Sequence, residues 1–497
     1  MKNVLEYLEK TAESFPEKTG FTDPLREVSF SQLEDKAKRM ANSLRAVRGK
    51  PVAVMADRSV DCVEAMLAAV YAGGFYTVID VNSPESRIKD IMRTLDPAAV
   101  IASQSRECLA GKVFKGGEII IAEDAASEER DEEFLEDVRE KMIDTDLLYV
   151  LFTSGSSGVP KGTAVSHRSV ISYTEWVTKQ FGFDEKTSFG SQTPLYFSMS
   201  VTDLYSTLRC GGTFNIIPRE YFAFPMRLIE VMNSRRINTI YWVPSAMAII
   251  SNWDVFSYGR PEYLEKVLFA GETMPVKHLN YWMKALPDCL YANLFGPTET
   301  TDICTFYIID RAFEDRESLP IGRACDNCRV TVVTEDGREA REEEAGELLV
   351  SGSFLAEGYY KDKEKTEKAF IQNPLNDSYP ERVYRTGDLV RLNHRGELMY
   401  LGRKDLQMKR MGFRIEAGEI EAAANAVEGV KASAVIQDSG GRIILIYESR
   451  REDAGTIRKK AEERLPSYMI PDEIVRVRRM PYNSNGKIDR ARLKENI

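Results

Sequence analysis

Histidine is scarce in this chain: three occur among 497 residues, and His167, His278 and His394 form no cluster. Nothing in that distribution supports a histidine-based nucleophilic triad. His167, just after a Gly/Ser loop, reads as packed or as part of a helix start. Cysteine is sparse and odd in number. Cys62, Cys108, Cys210, Cys289, Cys304, Cys325 and Cys328 are scattered, which does not suggest a disulfide framework. Cys325-Asp-Asn-Cys328 has a metal or redox spacing but lacks a second pair and a surrounding βαβ redox pattern, so it reads as incidental thiols. A basic excess is missing: 67 Lys and Arg stand against 77 Asp and Glu, a net charge of −10. That excludes a general nucleic-acid binder, which needs a basic face. No apolar run approaches the roughly 18 to 20 residues that span a bilayer, so no membrane partner is expected. The first ten residues are amphipathic and charged, with no apolar signal-peptide core; a cytoplasmic protein is expected. No internal repeat is apparent.

What is present describes an ordinary globular protein, 43% hydrophobic and 29% charged, long enough for more than one domain. Short apolar runs at Val52–Met55, Phe75–Ile79, Thr239–Val243 and Lys266–Ala270 alternate with helical stretches such as Val60 to Tyr71. This is the pattern of an α/β fold, with parallel strands covered by helices. Beyond about residue 325 the segments turn β-like. A boundary is predicted near Gly402-Arg-Lys-Asp405, giving a large domain over 1–404 and a small α+β domain over 405–497. The small domain is expected to hold a helix over Glu416 to Val427 and strands at Ala432 to Gln437 and Arg442 to Tyr447.

The most informative stretch is Leu151-Phe-Thr-Ser-Gly-Ser-Ser-Gly-Val-Pro-Lys-Gly162, with four hydroxyl residues, three glycines and one lysine. It follows the strand-like run Leu147 to Phe152 and precedes a helix start at Ser166 to Val170. Backbone N–H groups and hydroxyls of such a loop can wrap an anion, and Lys161 adds charge. The order is not Walker A, because Lys161 is followed by Gly162 and the glycine spacing differs. A bare Gly/Ser linker is the other reading of this loop alone.

The loop resembles the third core motif of the adenylate-forming superfamily, which includes acyl-CoA synthetases, luciferases and peptide-synthetase adenylation enzymes. Further matches follow in order. Ser29-Phe-Ser-Gln-Leu33 and Tyr71-Ala-Gly-Gly-Phe-Tyr-Thr-Val-Ile-Asp80 resemble the first two motifs. Phe295-Gly-Pro-Thr-Glu-Thr300 resembles the fifth, and Gly346-Glu-Leu-Leu-Val350 with Gly358-Tyr359 the sixth. Tyr384-Arg-Thr-Gly-Asp388 resembles the seventh, and Gly402 to Lys409 with Gly412 to Glu416 the eighth. Asn485-Gly-Lys-Ile-Asp-Arg490 resembles the last.

The resemblance implies an ATP-dependent, AMP-forming ligase with Mg²⁺, built as a large N-terminal domain of helix-covered sheets plus a small β-barrel region, and a mobile C-terminal domain. Thr153, Ser154, Gly155, Ser156, Ser157, Gly158 and Lys161 would cradle phosphate. Glu299 would hold the metal beside Thr298, and Lys487 would bridge the substrate carboxylate and the α-phosphate. Gly271, Glu272, Asn293, Phe295, Gly296, Asp388 and Arg403 would surround the nucleotide. Phe295 would stack on adenine, Asn293 would bond its amino edge, and Asp388 would accept from ribose hydroxyls. Asp405 would be the hinge, and Gly412 would line a pantetheine tunnel.

The acid pocket would be lined by Ser198, Met199, Thr202, Tyr241, Leu268, Ala270, Leu294, Asp302 and Ile303. Amino-acid-activating relatives carry Phe-Asp-x-Ser, whose Asp holds the α-ammonium, whereas this chain reads Phe197-Ser198-Met199-Ser200. A neutral hydroxyl does not replace a buried ion-pair partner. Asp302 has two readings: an acid that meets an amine from another wall, or a residue that faces solvent or caps a turn. The bulky lining argues against a long acyl chain. An unusual amino acid and a small acid lacking an α-amine both remain open.

The form Asn485-Gly-Lys-Ile-Asp-Arg490 is similar to that of peptide-synthetase enzymes and D-alanyl-carrier ligases. A carrier-protein phosphopantetheine is therefore favoured over CoA as acceptor. The chain ends seven residues after Arg490, so a separate carrier protein is the expected partner, with a small carboxylic or amino acid as substrate. A non-catalytic binder on the same fold is disfavoured because Lys487 and Glu299 are both present. A luciferase-type oxygenase is the remaining alternative.

Overall fold

The computed structural model describes residues 1–155, 159–438, 440–482 and 488–495. Ser156, Ser157, Gly158 and Lys487 therefore lie outside the described residues. The chain forms two compact units. The first comprises Met1–Ile79, Asp96–Leu151 and Thr163–Lys404; the second comprises Asp80–Leu95, Phe152–Gly162 and the residues from Asp405 onward. This division differs from a single cut after residue 404, because two segments of the N-terminal sequence group with the C-terminal one.

The first unit is an α/β body. A seven-stranded sheet has the order Gly358–Tyr359, Lys161–Ser166, Leu147–Thr153, Phe75–Val78, Pro51–Met55, Ala99–Ala102, Glu118–Ile121. Its inner strands pair in parallel. Strands Pro51–Met55 and Phe75–Val78 are buried at every residue, as expected when helices cover both faces. The helix Val60–Tyr71 is buried at every residue but Asp61.

Two of the sequence motifs are architectural. Ser29 caps the helix Phe30–Ala41: its Oγ accepts from Gln32 N at 3.3 Å, and Gln32 Oε1 accepts from Ser29 N at 3.0 Å. This capping box satisfies two orphan donors of the first turn, worth about 1 kcal/mol. Gly73, at φ +74°, turns that buried helix into the strand Phe75–Val78. A Cβ on Gly74 would stand 3.0 Å from Lys50 O.

A nine-stranded sheet carries several of the residues expected to line an acid pocket. Its order is Arg323–Ala324, Thr305–Ile308, Leu290–Phe295, Lys266–Phe269, Thr239–Trp242, Ser188–Ser191, Thr213–Ile216, Thr19–Thr22, Glu27–Ser29. A third, antiparallel sheet is built from Cys328–Val333, Gly346–Gly352, Arg382–Leu392, Phe370–Gln372 and Leu398–Arg403. It is the β-rich region expected beyond residue 325.

The second unit contains the helix Glu85–Leu95, the hairpin Gln407–Arg410 with Phe413–Glu416, the helix Ala417–Asn425, and a three-stranded sheet. In that sheet Ile443–Ser449 lies between Val430–Gln437, antiparallel, and Glu473–Val477, parallel. Ala434, Ile436, Ile444, Ile446, Met480 and Leu493 form its core. Among the described residues, no helix is long and apolar enough to cross a membrane.

Candidate active site

The strand Leu290–Phe295 ends in Gly296-Pro297, and a single 3-10 turn, Thr298–Thr300, follows. The chain then doubles back through Thr301 at φ +66°. A Cβ on Gly296 would stand 2.2 Å from Asp302 O, so the fold-back requires glycine at that point. The turn buries Glu299 completely. Tyr359 OH donates to its Oε1 at 2.6 Å, and Ala356 N donates to its backbone oxygen at 2.9 Å. Thr298 remains half-buried, with Oγ1 3.2 Å from Ser198 Oγ. Among the described residues, no group of three or more His, Cys, Asp or Glu side chains is placed to hold a metal. A hard cation at Glu299 would draw its remaining ligands from phosphate oxygens and water, as Mg²⁺ commonly does.

Strand register aligns the residues expected to form the sheet wall of an acid pocket. Tyr241 pairs with Leu268, and Leu268 with Ala292. Side chains alternate along strands, so Tyr241, Leu268, Ala270 and Leu294 share one face, while Asn293 and Phe295 take the other. All four are buried, as are Met199 and Ile303. Asp302 is 2% exposed, which removes the solvent-facing alternative. Its Oδ2 accepts from Thr202 Oγ1 at 2.8 Å, Tyr173 OH at 3.0 Å and Tyr241 OH at 3.2 Å. Burial pushes the Asp302 carboxyl up to about 6, and the three hydroxyls, which favour the anion, oppose the rise. Of the expected pocket residues, Thr202 thus meets Asp302, and Ser198 meets Thr298, itself expected beside the metal residue Glu299.

The expected nucleotide residues are placed as follows. Asn293 is buried, and its Nδ2 donates to Pro320 O at 2.7 Å, which turns the amide's donor end into the protein. Phe295 packs against Tyr400 with ring centroids 5.8 Å apart. Gly271 has φ +89°. The adjacent Glu272 accepts from Ser245 N at 2.9 Å, in the first turn of the helix Pro244–Asn252, so its carboxylate serves that helix start. Asp388 is not in a turn. It lies within the strand Arg382–Leu392, directly opposite Arg403, whose Nη1 donates to Asp388 Oδ1 at 3.0 Å. Cross-strand pairing thus fixes a buried acid and its cation together.

In the second unit, Thr153 Oγ1, at the end of the strand Leu147–Thr153, is buried with no hydrogen-bond partner. An anion acceptor would satisfy it. Ser154 behaves differently from the expectation. Its Oγ gives its proton to Arg414 O at 2.6 Å, so in this conformation it offers no proton to a phosphate. Gly155 N donates to Glu419 Oε2 at 3.3 Å, and Glu419 pairs with Arg87; both side chains are buried. A carboxylate thus occupies an N–H expected to face phosphate. Lys161 opens the strand Lys161–Ser166. Gly412, at φ +78°, and Met411, at φ +52°, make the tight turn of the 407–416 hairpin. Asp405 is exposed and accepts from Gln407 N at 3.2 Å.

Tyr173, Arg87 and Glu419 were not anticipated from sequence. Tyr173 lies 129 residues from Asp302, and Arg87 lies 332 from Glu419. No local pattern announces either pairing. His167 is packed as expected: Val4 N donates to its Nδ1 at 3.3 Å, and burial pushes its imidazole down to about 3.

Comparison with known proteins agrees with this geometry. The AMP-binding enzyme family matches residues 8–360, and the AMP-binding enzyme C-terminal domain matches residues 419–487. An L-proline–[L-prolyl-carrier protein] ligase of Pseudomonas fluorescens is 32% identical over 515 residues, covering 100% of both chains. A D-alanine–D-alanyl carrier protein ligase of Bacillus licheniformis is 29% identical over 509 residues, covering 99% of both. The crystal structure of the Vibrio cholerae adenylation domain AlmE, in complex with glycyl-adenosine-5'-phosphate, superposes with a TM-score of 0.84 at 20% identity. That match covers 99% of this chain and 97% of the other, and it establishes a shared fold. This chain belongs to the AMP-binding enzyme family.

Proposed function

We propose that the protein activates an amino acid or small carboxylic acid as its acyl-adenylate and transfers the acyl group to the phosphopantetheine thiol of a separate carrier protein. The observation that carries this reading is the contact between Ser198 and Thr298 beside the buried Glu299. It supports an acid pocket that opens beside a turn suited to a metal-bound polyphosphate. Similarity to two carrier-protein ligases over essentially their full lengths supports the acceptor.

A carboxylate is a poor acyl donor because oxide is a poor leaving group. In the first half-reaction the substrate carboxylate oxygen attacks the α-phosphorus of ATP, and pyrophosphate departs. In the second, the pantetheine sulfur loses its proton and bonds to the acyl carbon, and AMP departs. Both anions must be held together while charge moves through an in-line displacement. Glu299 would hold Mg²⁺, oriented by the Tyr359 hydroxyl; when bound, the ion neutralises phosphate charge. Thr153 would donate its unsatisfied hydroxyl to phosphate. Asp388 and Arg403 would meet the ribose, and the Asn293 Oδ1 would accept from the adenine amino group.

Lys487 would be the cation between carboxylate and α-phosphate, where a compact ammonium fits. Asp405 would be the hinge about which the C-terminal domain, from residue 405, turns between half-reactions. Gly412 would face the pantetheine arm. A cytoplasmic setting agrees with ATP as a substrate and with seven cysteines that are all free thiols.

The test incubates the protein with ATP, Mg²⁺, a panel of acids, and either holo carrier protein or CoA. A mass increase on the carrier's pantetheine equal to the acyl group is expected. Acyl-CoA formation with no carrier loading would reassign the acceptor.

A further inference from the structure

Asp302 is a buried carboxylate with no cationic partner among the described residues. The groups around it are hydroxyls and one further acid. Tyr173 comes from the helix His167–Phe181, Thr202 from the helix Ser200–Cys210, and Tyr241 from the strand Thr239–Trp242. The Tyr149 phenol senses its charge from the strand Leu147–Thr153. Asp203 also faces it, its carboxyl pushed up to about 8 by burial and so largely protonated near neutral pH, and the neighbouring cation Arg58 is engaged there: its Nη1 donates to Ile217 O at 2.7 Å and its Nη2 to Ser191 O at 2.5 Å. Three donors converge on Oδ2 alone. Oδ1 accepts none of these bonds, and it is not among the sealed, unpartnered polar atoms of the described interior.

An asparagine would meet the same hydroxyls through its own oxygen without the cost of burying charge. Retaining a carboxylate here makes sense if the ligand brings the cation. The position of the acid then restricts where that cation sits. Ser198 touches Thr298 at 3.2 Å, beside Glu299, at the end where carboxylate and phosphate would react. Thr202 touches Asp302 at 2.8 Å, four residues further along the chain, within the first turn of the helix Ser200–Cys210. An α-ammonium lies two bonds from the carboxyl carbon and stays at the first contact, where only hydroxyls are offered. An ammonium on the β or γ carbon lies three or four bonds away and extends toward the second. The sheet wall beyond it, Leu268 and Leu294, is apolar.

We propose that Asp302 is the ammonium-binding residue of the acid pocket and that the acid activated is a β- or γ-amino acid, with its ammonium displaced from the α carbon. The proposal rests on the adenylation reading for the direction in which the acid lies, and its test is independent of turnover. Calorimetry measures binding of straight-chain, branched and aromatic β- and γ-amino acids to the full chain, each beside its α-amino isomer and its amine-free counterpart. At least one β- or γ-amino acid should bind about 50-fold tighter than both counterparts, the scale of a buried charge pair. In Asp302→Asn that preference should vanish while ATP affinity is retained.

Equal binding of the isomers and amine-free acids to the wild-type protein overturns the proposal. So does a preference that survives Asp302→Asn. The wild-type comparison stands even if the variant folds poorly. Pyrophosphate exchange, run separately, reports on adenylation: selective binding without exchange would remove that reading and leave the ammonium site in place.

Discussion

Thr202 Oγ1 donates to Asp302 Oδ2 at 2.8 Å, and Tyr173 OH stands within hydrogen-bond distance of both, 2.7 Å from Thr202 and 3.0 Å from Asp302. Four groups from four separate chain segments, with Tyr241 the fourth, therefore share one buried negative charge. A charge so placed leaves a signature in stability as well as in binding.

Burial raises the Asp302 carboxyl from 3.8 to about 6. Between those values the folded protein holds a proton that the unfolded chain has released. Stability contributed by this group therefore falls as pH rises from about 4 to about 6, and the penalty stays in place above 6. Two units correspond to about 3 kcal/mol at most. Asp302→Asn should thus melt higher than the wild type at pH 7, by about 1–3 kcal/mol, with little difference at pH 4. Melting curves at both pH values, without ligand, check this; a variant equally destabilised at both would contradict the charge assignment.

The Asp302 proton also predicts a pH profile. With a β- or γ-amino acid, kcat/KM should fall below about pH 6, as protonation removes the anion that holds the ammonium. With an amine-free acid, or in Asp302→Asn, that acid limb should be absent.

The bond from Tyr359 OH to Glu299 Oε1, at 2.6 Å, orients a carboxylate that sits wholly inside the protein. Hydrogen bonds to charged groups are worth about 1.5–3 kcal/mol. Tyr359→Phe should therefore lower the adenylation rate about 10- to 100-fold and raise the Mg²⁺ concentration needed for half-maximal rate. A Mg²⁺ titration of pyrophosphate exchange measures both. An unchanged Mg²⁺ requirement would separate Glu299 from the metal.

The buried pair of Arg87 and Glu419 ties the helix Glu85–Leu95 to the helix Ala417–Asn425, and Glu419 also accepts from Gly155 N. Removing one partner of a buried pair strands the other, at about 3–5 kcal/mol. Arg87→Ala should destabilise the protein by that order, whereas Arg87→Ala with Glu419→Ala should recover part of the loss. Chemical denaturation of the two variants gives the comparison.

The sequence was legible where a local pattern sets local geometry. Ser29 and Gln32 read as a motif and form a capping box, and the strand over 147–153 and the helix start at Ser166 follow from hydropathy and the cap, whereas the strand Lys161–Ser166 between loop and helix carries no such signal. The motif position of Asp302 points to a pocket-lining acid, and the structure shows it buried. Its charge state was not readable, because it depends on Tyr173 and Tyr241, brought in by another helix and another strand. Composition points to a phosphate loop, yet it does not reveal that Ser154 bonds Arg414 O or that Glu419 takes the Gly155 N–H. Those are long-range contacts with no sequence period.

Lys487 is argued from sequence and lies outside the described residues. Lys487→Ala should reduce adenylation at least about 10²–10³-fold, the scale of one electrostatic donor. Thioester formation from pre-made acyl-adenylate should fall much less, and single-turnover assays of each half-reaction separate the two.

The central claim, that this chain converts a carboxylate to an acyl-adenylate, is tested most directly by incorporation of labelled pyrophosphate into ATP across a panel of amino, hydroxy and aryl acids. The account predicts exchange that requires both an added acid and Mg²⁺, and that is strongest with β- or γ-amino acids. Folded protein that binds ATP yet supports no exchange with any acid in the panel would contradict it.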